Sequence, residues 1–117
     1  MALLEIKNPV ATANVRWLTA SEGGRISGPP TAPVYSATAV FCLGGEAETA
    51  PGWPASADQL SILVQPLGGH EGEEGVSLIG FLLPDLARPH LHPDAELLIL
   101  EGPKVVAEAT IRDLLEK

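Results

Sequence analysis

The sequence has one cysteine, few basic residues and no long apolar run, and each shortage removes a class of function. With Cys42 alone, no intramolecular disulfide can form, and the disulfide framework of small secreted domains is excluded. That points to a reducing compartment, the cytoplasm. Seven Lys and Arg face fifteen Asp and Glu, for a formal charge of −8. Lys7, Arg16, Arg25, Arg88, Lys104, Arg112 and Lys117 are scattered singly. A nucleic-acid binder gathers its cations into a stripe that displaces counterions from phosphate, and an anionic membrane asks for the same. Charge therefore disfavours both. No stretch approaches the roughly 20 apolar residues of a membrane helix. Met1 to Lys7 lacks the basic-then-apolar pattern of a signal peptide, so none is expected.

Catalytic motifs are also missing. There is no Gly-x-x-x-x-Gly-Lys-Ser/Thr, and Gly68-Gly69 lacks the following Lys that would reach a phosphate, so nucleotide hydrolysis is not expected. Glu71, Glu73 and Glu74 do not follow the Asp-x-Asp-x-Asp-Gly pattern of a calcium loop. Ser21, Ser56 and Ser61 have no Gly-x-Ser-x-Gly setting. The reading is a non-enzyme without cofactor or nucleotide.

What is present is a β pattern. Of the 117 residues, 45% are apolar, enough for the core of one domain. From Ala11 to Thr19, Ala11, Ala13, Val15 and Trp17 alternate with Thr12, Asn14 and Arg16, the period of a half-buried strand. Val34 to Phe41 is rich in residues that suit a pleated surface. Leu60, Ile62 and Val64 alternate with Ser61 and Gln65. Val76 to Leu83 is a near-continuous apolar run closed by Pro84, whose length favours a strand. Ala95 to Leu100 and Lys104 to Arg112 complete six, the last with Val105, Ala107, Ala109 and Ile111 on one side. Gly and Pro loops separate them, and no segment reads as a convincing helix. Six short strands so spaced predict an all-β fold, a small six-stranded antiparallel barrel of Greek-key type.

Three segments carry a resemblance. The first is Val15-Arg16-Trp17-Leu18-Thr19 followed by Glu22-Gly23-Gly24-Arg25. The second is Pro33-Val34-Tyr35-Ser36-Ala37-Thr38. The third is the hairpin Leu97-Leu98-Ile99-Leu100-Glu101-Gly102-Pro103-Lys104-Val105-Val106-Ala107, preceded by Leu82-Leu83-Pro84. In order and spacing they resemble the C-terminal barrel, the third domain, of elongation factor Tu over about residues 11 to 112. That resemblance implies a non-catalytic barrel, since the factor hydrolyses GTP with a separate domain. It also implies contact with the T stem of tRNA and with a protein exchange factor. Arg25 matches the family's first-loop Arg, whereas the following His is Ile26 here and the second-strand Arg falls at Ala37. Gly23, Gly24 and Gly102 would supply positive φ at turns.

Other chemistry-bearing residues have a functional and a structural reading. His90 and His92, with Asp94 nearby, would share a face on a strand and could form part of a metal site, but flanking prolines favour a solvated loop. His70 lies in the acidic, Gly-rich connection. Cys42, at a strand end, reads as a small core residue. Trp17 reads as core. Trp53, in Pro51-Gly52-Trp53-Pro54 of a long loop, is either an exposed anchor for a partner or a lid on the barrel. The resulting expectation is an interaction module binding a protein partner or itself, with Arg25 and Trp53 as partner-binding residues. RNA contact through Arg25 is the alternative.

Overall fold

A computed structural model of the chain describes residues 6–26, 33–42, 48, 51–55, 57–67 and 74–115, with the Glu74 side chain left out. Ser56, Gly68, Gly69, His70, Glu71, Glu73 and Lys117 lie outside the described residues.

Six strands form: β1 (Ala11–Trp17), β2 (Tyr35–Phe41), β3 (Leu60–Pro66), β4 (Glu74–Phe81), β5 (Glu96–Glu101) and β6 (Lys104–Leu114). They close into a barrel in the order β1-β4-β3-β2-β5-β6, with every neighbouring pair antiparallel. The β2-β3-β4 meander with β1 returning beside β4 is the Greek-key element. Closure leaves no strand with unpaired backbone groups along its side.

The core follows from the period-two pattern. In β1 burial alternates strictly, with Ala11, Ala13, Val15 and Trp17 inside. A small barrel fills its interior by setting small residues against large ones, and the β1–β6 register does this. Trp17 faces Ala107, Val15 faces Ala109, and Ala13 faces Ile111. Ile62, Val64, Ile79, Leu97 and Ile99 complete the interior, each at most 1% exposed.

Three elements depart from the sequence expectation. The fourth strand runs Glu74–Phe81 and stops short of Leu83. Pro84 has no N–H to give a ladder, and instead occupies the first turn of a four-residue helix, α1 (Pro84–Ala87), where a missing donor costs nothing. In β6 the register shifts opposite Ile99/Leu100, so that Val105 pairs with Leu100 and Ala107 with Ile99. Val106 is the extra residue, and it is fully buried while Val105 is only half-buried. Such a bulge puts one more residue on one strand than on its partner, which breaks the simple alternation from Val105 to Ile111. Cys42 lies just beyond the end of β2 and is half-buried, outside the core to which its apolar neighbours belong.

The antiparallel closure gives the barrel two mouths. One holds the ends of Trp17, Tyr35, Pro66 and the β5–β6 hairpin. The other holds Ala11, Phe41, Leu60, Phe81 and Glu96. Among the described residues no helix is long and apolar enough to cross a membrane.

Candidate interaction surface

Arg25 lies in the connection from β1 to β2, at the Trp17 mouth. That connection is pinned by Arg16, whose guanidinium donates to Glu22 at 3.1 Å and to Glu108 at 3.0 Å. Glu22 in turn accepts from the Thr19 backbone N–H at 2.9 Å. The Thr19 N–H, followed by the Arg16 guanidinium, holds the Glu22 carboxyl below its usual range. Gly23 takes φ 92° at this turn. Gly24 is needed for a different reason: a Cβ there would sit 2.1 Å from the Leu18 carbonyl oxygen.

The fold thereby brings Arg25 over the Tyr35 ring, 5.6 Å from its centroid, with its Nε 2.8 Å from Glu101 Oε2. The Tyr35 hydroxyl donates to the same Glu101 oxygen, and the Tyr35 ring meets Trp17 edge-on at 5.3 Å. Burial, and then the bond to Glu101, push the Tyr35 hydroxyl well above its ordinary pKa of 10. Arg25 keeps 25% of its side chain exposed, and its charge is spent within the chain.

Trp53 lies at the other mouth, in the β2–β3 connection, so the two sequence-predicted contact residues are not brought together. It is half-buried and outside the barrel core. Its turn is tied to the wall: Gln59 donates to the Ala55 carbonyl at 3.1 Å and accepts from Thr38 Oγ1 at 2.6 Å. His90, in a 3-10 turn, rests its ring 5.2 Å from that of Phe41. His92 places Nδ1 2.9 Å from the Pro93 carbonyl. Among the described residues, no group of three or more His, Cys, Asp or Glu side chains is placed to hold a metal.

Phe41, His90 and His92 line a shallow depression of about 170 Å³ that continues past Cys42 into a second of about 210 Å³. Cys42 and Glu96 belong to both, Asp94 to the first and Glu108 to the second. Burial, then the Glu48, Glu96 and Glu108 carboxylates, push the Cys42 thiol up, which keeps it protonated and weakly nucleophilic.

No protein-family model matches this chain, and no curated protein matches its sequence. The surface must therefore be read from its own residues.

Its most distinctive part joins Leu82 and Leu83, which the sequence reading placed in the fourth strand, to Leu86 in the segment beyond Pro84. Leu82, Leu83 and Leu86 are 61%, 64% and 54% exposed. Leu82 and Leu83 lie between β4 and α1 and Leu86 lies in α1, where Leu86 N donates to the Leu83 carbonyl at 3.0 Å. The signal for this was present: a proline followed by an acid, Pro84-Asp85, marks a helix start. With the strand ending before it, both preceding leucine side chains are exposed, although the Leu82 N–H still donates to the Ser61 carbonyl at 3.1 Å.

Proposed function

We propose that this chain is a non-catalytic interaction module, working in a reducing compartment such as the cytoplasm, that docks a protein surface at the Phe41–Phe81 mouth. The docked surface belongs to another protein or to a second copy. The observation that carries the reading is three leucines, each more than half exposed, within five residues of one connection. Single exposed apolar residues are ordinary, whereas a contiguous group is characteristic of an interaction site. Barrel closure supports docking through side chains, because strand addition to a sheet edge needs an edge. The resemblance to the third domain of elongation factor Tu supports a role without catalysis. The RNA alternative rests on Arg25, whose guanidinium is engaged by Glu101 and Tyr35.

The test compares the wild-type chain with a variant carrying Leu82→Ser, Leu83→Ser and Leu86→Ser. Sedimentation across concentration measures self-association, and quantitative affinity capture measures partners. Loss of a dimer or of a reproducible partner in the variant is the expected outcome. A wild-type chain that stays monomeric and captures nothing above the variant overturns the reading.

A further inference from the structure

The carboxylates of the two mouths have different partners. Glu22 and Glu108 bind Arg16, and Glu101 binds Arg25. At the opposite mouth, Asp58, Asp94, Glu96 and Asp113 are exposed and have no ion-pair partner among the described residues. Leu82, Leu83 and Leu86 are at that same mouth, whereas the exposed Ile26 and Leu67 are at the first. One connection, from Leu82 to Ala95, carries both features: leucines in its first half, and in its second half His90, His92 and Asp94 on the wall of the acidic depression.

We infer that the docked surface is a protein segment of mixed basic and apolar character, not a second copy of this chain. This inference rests on the interaction-module reading above. The apolar side chains of the segment cover Leu82, Leu83 and Leu86, and its Lys or Arg enters the depression between Asp94 and Glu96. Each of the two hollows is several times the ~30 Å³ share of a water molecule, room for the end of a long side chain. Charge decides between occupants. Two copies each of charge −8, meeting face to face at this mouth, would juxtapose unpaired carboxylates, and like charges across an interface oppose association. A cationic segment meets the same carboxylates with opposite sign. It would also gain association rate from the long-range field of the acidic chain.

The probe is a display library of random linear peptides, selected on the immobilised full chain, with the enriched peptides then synthesised. Enriched sequences are expected to combine Lys or Arg with Leu, Ile or Phe. Their affinity should fall about tenfold on passing to about 0.3 M NaCl, where surface attraction is screened. The double variant Asp94→Asn with Glu96→Gln should lose about tenfold in affinity, as removal of facing charges does. Asn tolerates the positive φ of 72° found at Asp94, so the turn survives this change. Amide NMR shifts of the wild-type chain on titration should concentrate on residues 82 to 98, a readout that needs no variant.

Binders that are apolar without cations, or indifferent to the charge variant, overturn the basic-partner inference and leave the module intact. So does a dimer abolished by Leu83→Ser. A chain that selects no peptide and forms no dimer overturns both.

Discussion

At the Trp17 mouth every described carboxylate has an arginine, while aromatic rings pack at both mouths, Trp17 against Tyr35 at one and Phe41 against Phe81 and His90 at the other. At the Phe41 mouth Leu82, Leu83 and Leu86 are exposed together with Asp58, Asp94, Glu96 and Asp113, whereas the exposed apolar residues of the Trp17 mouth, Ile26 and Leu67, stand on separate connections. Arg16 ties β1 to both the following turn and β6, and Arg25 ties the same connection to the β5–β6 hairpin. Exposed ion pairs of this kind contribute little each, so their main effect here is positional: they hold one loop down over Tyr35. At the second mouth the Asp85–Arg88 pair lies within one turn of its own chain. The ion pairs of the first mouth join separate elements, whereas the pair at the second lies within a single turn. Substitutions should therefore divide by mouth, costing stability at the first and binding at the second.

The largest stability effect is expected at Gly24. Any side chain there meets the Leu18 carbonyl carbon at 2.6 Å as well as its oxygen, and backbone atoms cannot swing away. Gly24→Ala should destabilise by about 3 kcal/mol, the upper range for overpacking, read as a shift in denaturant midpoint. An unchanged midpoint would mean that the loop is not held against β1, and the contrast between the mouths would disappear. Gly102 comes next. It is the first residue of a two-residue hairpin loop, has φ 60°, and precedes Pro103, the arrangement of a type II′ turn. A Cβ there meets nothing within 4 Å, so the cost of Gly102→Val is that of left-handed backbone alone, about 1–2 kcal/mol. Chemical denaturation measures it; no loss would mean the hairpin can adopt another turn.

Much of the barrel was legible because its determinants are local. Strict alternation in β1, and Gly102-Pro103 between two apolar runs, specify strand and turn through nearest neighbours. Closure followed from counting strands and from the need to cover edges. The misreadings arose where one residue's role depends on a distant one. Val106 faces inward because a bulge forms against Leu100 across the hairpin. Leu82 and Leu83 fall beyond the end of β4 because Pro84 begins a helix, although their own composition suits a strand. Arg25 was singled out as a partner-binding residue, and its contact with Glu101 spans the barrel mouth, where no local pattern announces it. The acidic depression was invisible for the same reason: Cys42, Asp94, Glu96 and Glu108 meet only after closure.

Tyr35 gives a pH-dependent form of the comparison. Its hydroxyl pKa is raised in the folded chain, first by burial and then by Glu101. A raised pKa means that the folded state holds the proton more tightly. The associated stability is thus complete below the unfolded value, near 10, and is lost as pH rises toward the folded one. Tyr35→Phe should cost about 1 kcal/mol near pH 8, the net worth of an ordinary intramolecular hydrogen bond. The gap between wild type and variant should then narrow as pH climbs above about 10. Denaturation of both proteins across that range checks it, and parallel curves would show that the hydroxyl is not held against Glu101.

The smallest stability effect is expected at Leu83, and it sharpens the comparison most. With 64% of the residue already in solvent, truncation forfeits only a minor part of the ~1.5–3 kcal/mol that full burial of a leucine supplies. Its backbone role at the start of α1 is kept, because the Leu83 carbonyl that accepts from Leu86 N–H belongs to any residue. Leu83→Ser should therefore change unfolding free energy by about 0.5 kcal/mol or less, in the range of ordinary surface substitutions. The same variant should weaken docking, since a side chain that the monomer leaves uncovered has its burial still to gain. Tm and binding measured on one preparation separate these quantities. A stable variant that binds less well places the leucine surface on the side of function. A variant that loses stability and keeps its binding means that Leu83 packs against its own chain. In that case the second mouth is closed like the first, and the docking surface lies elsewhere.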